Sequence, residues 1–410
     1  MKKPSTGLQS WHRTVIATLA LPLVISLAVM AFAWPASRIA PRDLPVGVVG
    51  TSAASQKAVE GLTHGKPGGF DFHLYADQAS ARSAIKHREI YGAFVVTPGH
   101  VTVLEATAAS MPVAQLLTTS GQHLADEAAK AAAKDPTPPG GASVRSTAPK
   151  KAAAKKAAAK KAAAKKITKV KVKTVDIVPI SASDPRGVVF VSALLPLTVC
   201  SIMIAALVAL TPGHVSVRRR LVDLVAACAV TGLAAYLIAQ GLLGAMPHQH
   251  VATWAALSLT LLAISATSFG LVTLIGPPGL GLSVALMVFV GNPFSGSTSA
   301  PELLPKAVDE IGQWLPPGAG AGLLRSTAYF DGNASAGHIV VLALWSTLGL
   351  AAALLGGRRR SAVANGTLGD DRLGADDTSA VAPDTAGTTT TVTPAPVFRT
   401  HSHARHAAHG

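Results

Sequence analysis

The stretch VVFVSALLPLTVCSIMIAALVAL, Val188–Leu210, decides the fold, because its 23 residues include no charged side chain. A helix that crosses a bilayer needs about 20 consecutive apolar residues. The composition agrees: 49% of the residues are hydrophobic, only 14% are charged, and the mean hydropathy is +0.39. Soluble domains carry about 25% charged residues. The sequence therefore predicts an integral membrane protein.

Five further apolar segments lie on either side of this stretch. They are Thr14–Trp34, Leu221–Met246, Val251–Ile275, Gly279–Gly291 and Ile339–Gly356. The segment at 279–291 is short and rich in glycine, which leaves a re-entrant segment open as an alternative. The first contains Ala31-Phe32-Ala33, a pattern of signal-peptide cleavage, but its apolar run exceeds the usual signal core, so we expect an uncleaved anchor.

Basic clusters near the segment ends predict the orientation. Lys2, Lys3 and Arg13 precede the first segment, Arg218–Arg220 separate the second from the third, and Arg358–Arg360 follow the sixth. Cytoplasmic loops are enriched in lysine and arginine. Six spans place all three clusters in the cytoplasm, whereas five would put the last one outside. We expect a multi-pass protein of the cell membrane with both termini, residues 1–13 and 357–410, in the cytoplasm.

The segment between the first two spans, residues 35–187, has a different pattern of apolar and polar residues. Short apolar runs typical of strands begin at Leu44, Phe70, Tyr91, Val101 and Val172, and helical patterns separate most of them. Strands that alternate with helices indicate an α/β sheet. The predicted fold is therefore an α-helical polytopic membrane protein with six transmembrane helices and an extracytoplasmic α/β domain between helices 1 and 2.

A low-complexity insert at residues 136–169 interrupts this domain: a proline- and glycine-rich linker, followed by KKAAAKKAAAKKAAAKK at Lys150–Lys166. Eleven lysines and no acid occupy residues 150–173, so the rest of the chain contributes only +4 to the net charge of +15. The five-residue period spirals the lysine pairs around a helix and leaves no apolar stripe. The insert is predicted to be a solvated basic arm.

Two interpretations of this arm remain open: a tolerated filler, or an adhesive segment for anionic envelope polymers or lipid headgroups. Because the arm is predicted to lie outside the cell, nucleic acid is not an expected partner. The candidate contacts are Lys150, Lys151, Lys155, Lys156, Lys160, Lys161, Lys165 and Lys166.

No catalytic constellation is evident. A phosphate-binding loop needs the motif GxxxxGK[ST]. The most similar glycine-containing segment, Val48–Ser55, lacks the lysine. His248 and His250 flank a glutamine without a nearby carboxylate or thiol, so we expect neither a metal nor another cofactor. The chain is predicted not to be an enzyme.

The connector at residues 292–338 mixes apolar and charged residues over two short, proline-bounded helices. Trp314 and Tyr329 are typical of the headgroup region. They are candidates for an external gate, or else belong to interfacial helices that cover the bundle. The tail from residue 357, rich in Thr, Asp, Ala and Pro further on, is predicted to be disordered.

Four short sequence motifs, taken in their order along the chain, resemble those of ABC-2 type exporter permeases of the YhgE/Pip-like subgroup. They are PRDLPVGVVG after the first span, SAIKHREIYGAFVVTPG, VDIVPISASDPRGVVF, and the connector Gly291–Phe330. The resemblance covers roughly residues 14–356, apart from the Lys/Ala insert.

The resemblance implies a permease subunit that works as a dimer, with energy from a separate cytoplasmic ATPase. It places the ATPase contacts on residues 2–13 and 211–220, and thus on Arg13, Arg218, Arg219 and Arg220. The expected cargo is amphiphilic and moves across membrane lipid. The alternative function is that of a non-transporting surface receptor, a phage-adsorption factor or an envelope scaffold that binds through the exported domain.

Overall fold

A computed structural model describes residues 6–50, 53–65, 67–97, 100–134, 171–211 and 215–376. The chain divides into two units, Met1–Arg359 and Arg360–Gly410. The Lys/Ala arm and its eight candidate contacts lie outside the described residues, as does the side chain of Arg13.

A five-stranded sheet forms in the first unit, with the order β2-β1-β3-β4-β5. Its strands are β1 (Leu44–Val49), β2 (Phe70–Tyr75), β3 (Gly92–Thr97), β4 (His100–Glu105) and β5 (Lys171–Asp176). Only the β3–β4 pair is antiparallel. In the sequence, a Pro-Gly step, which is typical of turns, separates β3 from β4. The predicted strands are confirmed.

Helices connect the parallel strands: α2 (Ala53–Gly65), α3 (Gln78–Lys86) and α4 (Met111–Lys134). The side chain of Asp77 caps α3 by accepting a hydrogen bond from Ser80 N, as is typical of an N-cap. Leu44, Phe94 and Leu117 are completely buried between sheet and helices. The α/β prediction for this segment is confirmed.

Apolar helices make up most of the remainder: α1 (Thr6–Ser37), α5 (Val188–Ala209), α6 (Val217–Tyr236), α7 (His250–Ile275), α8 (Pro278–Val284), α9 (Asn292–Phe294) and α12 (Ala336–Asp376). A π-helical turn, Leu237–Leu242, extends α6, and another, Ala285–Gly291, joins α8 to α9. Within the described residues, four helices are long and apolar enough to cross a membrane: 188–209, 217–242, 250–275 and 336–359.

These four helices coincide with predicted segments two, three, four and six. The other two segments form helices as well, but their described apolar parts, Pro22–Ser37 and Pro278–Phe294, are shorter. Length and composition alone therefore neither confirm nor contradict six membrane spans.

The connector contains a short 3-10 turn (Pro301–Leu303), α10 (Lys306–Trp314) and α11 (Pro316–Tyr329). The prediction of two short helices there is confirmed. The prediction of disorder from residue 357 is wrong for residues 357–376, where α12 continues. Arginine, alanine and leucine favour helix, and adding residues to an existing helix avoids the cost of nucleation.

Glycines allow α7 and α12 to cross in close contact. A Cβ added at Gly349 would lie within 3.0 Å of backbone atoms of Ala266 and Thr267, and one at Gly356 would meet the backbone of Thr273. A shift of seven residues along one helix thus matches a shift of about seven along the other, in the same direction. The two helices are therefore parallel.

The helix ends near the sheet alternate in direction. The chain runs from α1 through Ala40, whose N–H donates to Leu303 O, into β1. Asp184 caps the sheet-side start of α5, with its carboxylate accepting from Val188 N and Val189 N, both at 2.9 Å. Ser181 donates to Gly244 O beyond the end of α6. These contacts put the end of α1, the start of α5 and the end of α6 on one side of the bundle.

Candidate functional site

The centre of the candidate site is α11, a helix whose residues are all buried. It begins with Pro316 and Pro317, which suit the first helical turn because their missing N–H groups would have no partner there. Its glycines allow neighbours to approach closely: a Cβ at Gly322 would meet the imidazole of His338. The helix thus packs closely between the sheet and the apolar helices.

Arg88 connects the sheet to α11. It follows α3 in a left-handed conformation, with φ of 62°, and its guanidinium donates to Gly322 O at 3.0 Å and to Ser326 Oγ at 2.5 Å. It also lies 5.5 Å from the ring centre of Phe330, in the range of a cation–π contact. Burial lowers the pKa of Arg88. One side chain thereby joins two parts of the chain that are far apart in sequence.

A second link joins β3 to the connector. The hydroxyl of Tyr91 donates to Glu302 Oε2 at 2.6 Å. Burial, with the neighbouring charge of Glu302, raises the pKa of Tyr91 well above its usual value. The phenol therefore remains a hydrogen-bond donor at physiological pH.

Arg325 projects from α11 and is only 7% exposed. It donates to Ser297 O at 3.1 Å and lies 4.9 Å from the ring centre of Phe190. Burial and the like charge of Arg88 lower the pKa of Arg325 to about 10. It still carries its charge at neutral pH, in surroundings that disfavour that charge.

These groups surround a cavity of about 290 Å³, here called the polar cavity. Among the described residues, no carboxylate oxygen lies within 4.0 Å of either guanidinium. The cavity keeps the buried Arg325 and the half-buried Arg88 apart from the nearby acids. Its charged and ring-bearing lining residues are Arg88, Tyr91, Glu302, Asp309, Arg325, Phe330 and His338.

The polar cavity brings side chains from separate parts of the chain together. Among the described residues, no group of three or more His, Cys, Asp or Glu side chains is placed to hold a metal ion. The polar contacts of Arg88 and Tyr91 join the sheet to α11 and to the connector, and His338 at the start of α12 also lines the cavity. A ligand or a movement at the sheet would therefore act directly on α11.

Comparison with known proteins reveals the family. The profile of the ABC-2 family transporter proteins matches residues 12–355. The chain belongs to the ABC-2 transporter family. The match spans the apolar helices, the sheet and the connector, and the chain is accordingly a membrane protein whose membrane domain is of the permease type. No curated protein and no solved structure matches it.

Three of the four residues proposed to face an ATPase are consecutive. Arg218, Arg219 and Arg220 open α6, and Arg219 forms a 3.1 Å ion pair with Asp223. A Cβ at Gly357 would meet the Val217 side chain, so α12 packs beside the start of α6 at this residue. Arg358 and Arg359, both exposed, extend this basic end.

The two proposed gate residues are not brought together. Trp314 is 63% exposed at the end of α10, and its carbonyl accepts a hydrogen bond from Trp345 Nε1 at 2.8 Å. Tyr329 is 6% exposed at the end of α11, beside Arg325. They mark different surfaces of the connector, and a gating role for either stays a prediction.

Arg88 and Arg325 were missed as site residues because each stands in an ordinary amphipathic or glycine-rich context. A usable signal existed for Arg325, which is the one charged residue in the run Pro316–Phe330. An isolated charge in an apolar helix is usually functional. No comparable signal marks Arg88, since its contacts depend on tertiary structure.

Asp309 gives the site a pH-dependent component. Its Oδ1 is buried and has no hydrogen-bond partner among the described residues. Burial, with the charges of Glu302 and Glu310, raises the pKa of Asp309 from 3.8 to about 6. The folded state therefore holds the proton more tightly than the unfolded chain, and stability from this group is lost as the pH rises from about 4 to 6.

We expect Asp309→Asn to remove this loss of stability at higher pH. At pH 4 the variant and the parent protein should unfold at similar temperatures, and at pH 8 the variant should be more stable by about 1 kcal/mol, allowing for partial exposure of the side chain. Thermal unfolding in mild detergent from pH 4 to pH 8 measures the difference. Glu310→Gln is the control, and an equal gain in that variant would contradict the assignment to Asp309.

Proposed function

We propose that the protein is the membrane-spanning permease subunit of an exporter, in the YhgE/Pip-like subgroup of the family, driven by a separate ATPase and carrying an amphiphilic substrate. We further propose that it crosses the cell membrane six times, with the sheet outside and both termini inside. The observation that carries this proposal is the separation of the sheet and the basic ends to opposite sides of the bundle.

The parallel packing of α7 and α12 supports six crossings. Two spans that run in the same direction require an odd number of crossings between them. Between α7 and α12 the apolar segment at 278–294 supplies one, since Gly279 packs against Leu271 near the end of α7 and Gly291 packs against Pro317 at the start of α11. This bent helix thus returns the chain to the sheet side.

The basic end supports an inward face. The 22 residues of α5 correspond to a length of about 33 Å, so the arginines that open α6 lie about one membrane thickness from the sheet. With the sheet outside, both arginine groups are cytoplasmic, as the positive-inside rule requires. Members of the family generally pair with an ATP-binding subunit, and we propose this basic end as its docking surface.

The contacts of the sheet favour transport over the receptor alternative. A receptor domain that uses its helices only as an anchor needs no buried polar links to them, whereas here Arg88 and Tyr91 reach α11 and the connector. A ligand-binding head with a passive anchor does not explain these links.

Co-purification tests the function. The tagged protein, solubilised in mild detergent from its own host, is expected to bring down an ATPase whose activity rises in the complex. Replacing Arg218, Arg219 and Arg220 together with glutamine should release that ATPase, whereas the matched lysine replacements should retain it.

Failure to recover any ATPase, together with release of a surface ligand on deletion of Lys150–Lys166, would instead establish the receptor alternative.

A further inference from the structure

A second cavity lies on the other side of Arg325, with a volume of about 70 Å³, and is here called the cationic pocket. A single ordered water needs about 10–15 Å³, so this space admits a group of several non-hydrogen atoms. Its polar lining residues are Thr107, Ser110, Arg186, Ser297, Thr298, Ser299, Arg325 and Tyr329.

The charge of the cationic pocket has one sign. Arg186 and Arg325 line it, and none of its described lining residues carries a carboxylate. Arg325 has five N–H donors, and Ser297 O is its hydrogen-bond acceptor among the described residues. Glu302 acts on Arg325 only from the polar cavity, at more than 4.0 Å. A buried cation with so few acceptors is stabilised by an anion beside it.

An apolar groove of about 290 Å³ adjoins the pocket. It lies between α1 and α5 and is closed above by the connector. Phe32, Ile39 and Leu195 are 39%, 47% and 43% exposed, so the groove opens sideways between the two helices. Its remaining lining residues are Ala36, Val191, Leu194, Asn292, Pro293, Ser297, Thr298 and Leu304.

The groove and the cationic pocket are adjacent, because both are lined by Val191, Ser297 and Thr298. We propose that they form one site for an amphiphile with an anionic headgroup, which Arg186 and Arg325 bind while its acyl chain lies in the groove. This deepens the proposed function by naming the substrate class, and it rests on that function only for the claim that the bound molecule is cargo.

The geometry favours an anionic amphiphile over a zwitterionic amphiphile and over a free anion. A zwitterionic headgroup would need a carboxylate beside its ammonium group; the described lining residues carry none, and the carboxylate of Asp176 is already bound by the N–H and hydroxyl of Thr107. A free anion would leave the groove open between α1 and α5 without an occupant. The lowered pKa of Arg325 agrees, since an adjacent anion would favour the charged form that burial disfavours.

Binding of fluorescent phosphatidylglycerol to the purified full-length protein tests the site without any ATPase. We expect saturable binding at least tenfold tighter than that of phosphatidylcholine with the same acyl chains. Inorganic phosphate should compete only at millimolar concentration. Equal binding of both lipids, or competition by phosphate as strong as that by the lipid, would overturn the proposal.

Two variants address the two halves of the site. Arg186→Gln removes the exposed cation, and Leu195→Trp fills the groove; each should weaken phosphatidylglycerol binding about tenfold. The controls are Arg82→Gln in α3 and Leu207→Trp, which lies on α5 and is 65% exposed. Unchanged binding in either test variant overturns the corresponding half. If binding holds but no ATPase is ever found, the proposed function fails while the lipid site stands.

Discussion

Gly349→Ala is expected to weaken the protein by forcing two closely packed apolar helices apart. The new Cβ would lie within 3.0 Å of backbone atoms of Ala266 and Thr267, which cannot rotate away as a side chain can. On the opposite helix, Gly270 has the same constraint, since its Cβ would lie 2.6 Å from Gly349 O. The helices α7 and α12 would have to separate.

The separation costs energy because close approach of small residues is what holds membrane helices together. Overpacking in a well-packed interior typically costs 1–3 kcal/mol, and we expect about 2 kcal/mol here. The measurement is the thermal midpoint and the monodisperse fraction in mild detergent.

Gly337→Ala on the same helix is the matched control, because among the described residues nothing lies within 4 Å of its added Cβ. In a helix interior alanine is favoured over glycine by about 1 kcal/mol, so propensity alone would stabilise Gly349→Ala, and a loss of stability in that variant isolates the crossing. Equal midpoints would contradict the close packing.

The membrane helices could be predicted because they depend on local composition. The run Val188–Leu210 and its equivalents have no stable alternative to a helix in lipid, where every backbone polar group needs an internal partner. The strands were equally readable from their alternation and their turn residues. In both cases the deciding interactions lie within a few residues of one another.

The site could not be predicted in the same way, because its contacts join distant parts of the chain. Arg88 reads as the polar end of an ordinary helix, and only the docking of the sheet brings it to Ser326, 238 positions later. Trp314 and Tyr329 have the composition of interfacial anchors, but the fold buries one and exposes the other. Composition describes a preference for an environment, not the neighbour found there.

Removing Arg88 is expected to uncouple the sheet from α11 without unfolding either. Arg88→Met keeps the length of the side chain and much of its contact with Phe330 but leaves Gly322 O and Ser326 Oγ without their donor. Losing a charged donor from a buried carbonyl costs about 1–3 kcal/mol. Because the contact bridges two elements, this loss should appear as local opening of the interface.

Hydrogen exchange of the detergent-solubilised protein measures that opening. Amides in Gln78–Lys86 and Pro316–Tyr329 should exchange at least tenfold faster in Arg88→Met than in the parent protein, while those in Val188–Ala209 should not change. Arg82→Met, an exposed position on the preceding helix α3, is the control. If Arg88 acts through Ser326, then Ser326→Ala should add little to Arg88→Met, whereas fully additive effects would show that the two side chains act independently. Loss of transport or of ATPase stimulation in Arg88→Met, with the ATPase still bound, would then locate the coupling of the sheet to the membrane helices in this one contact.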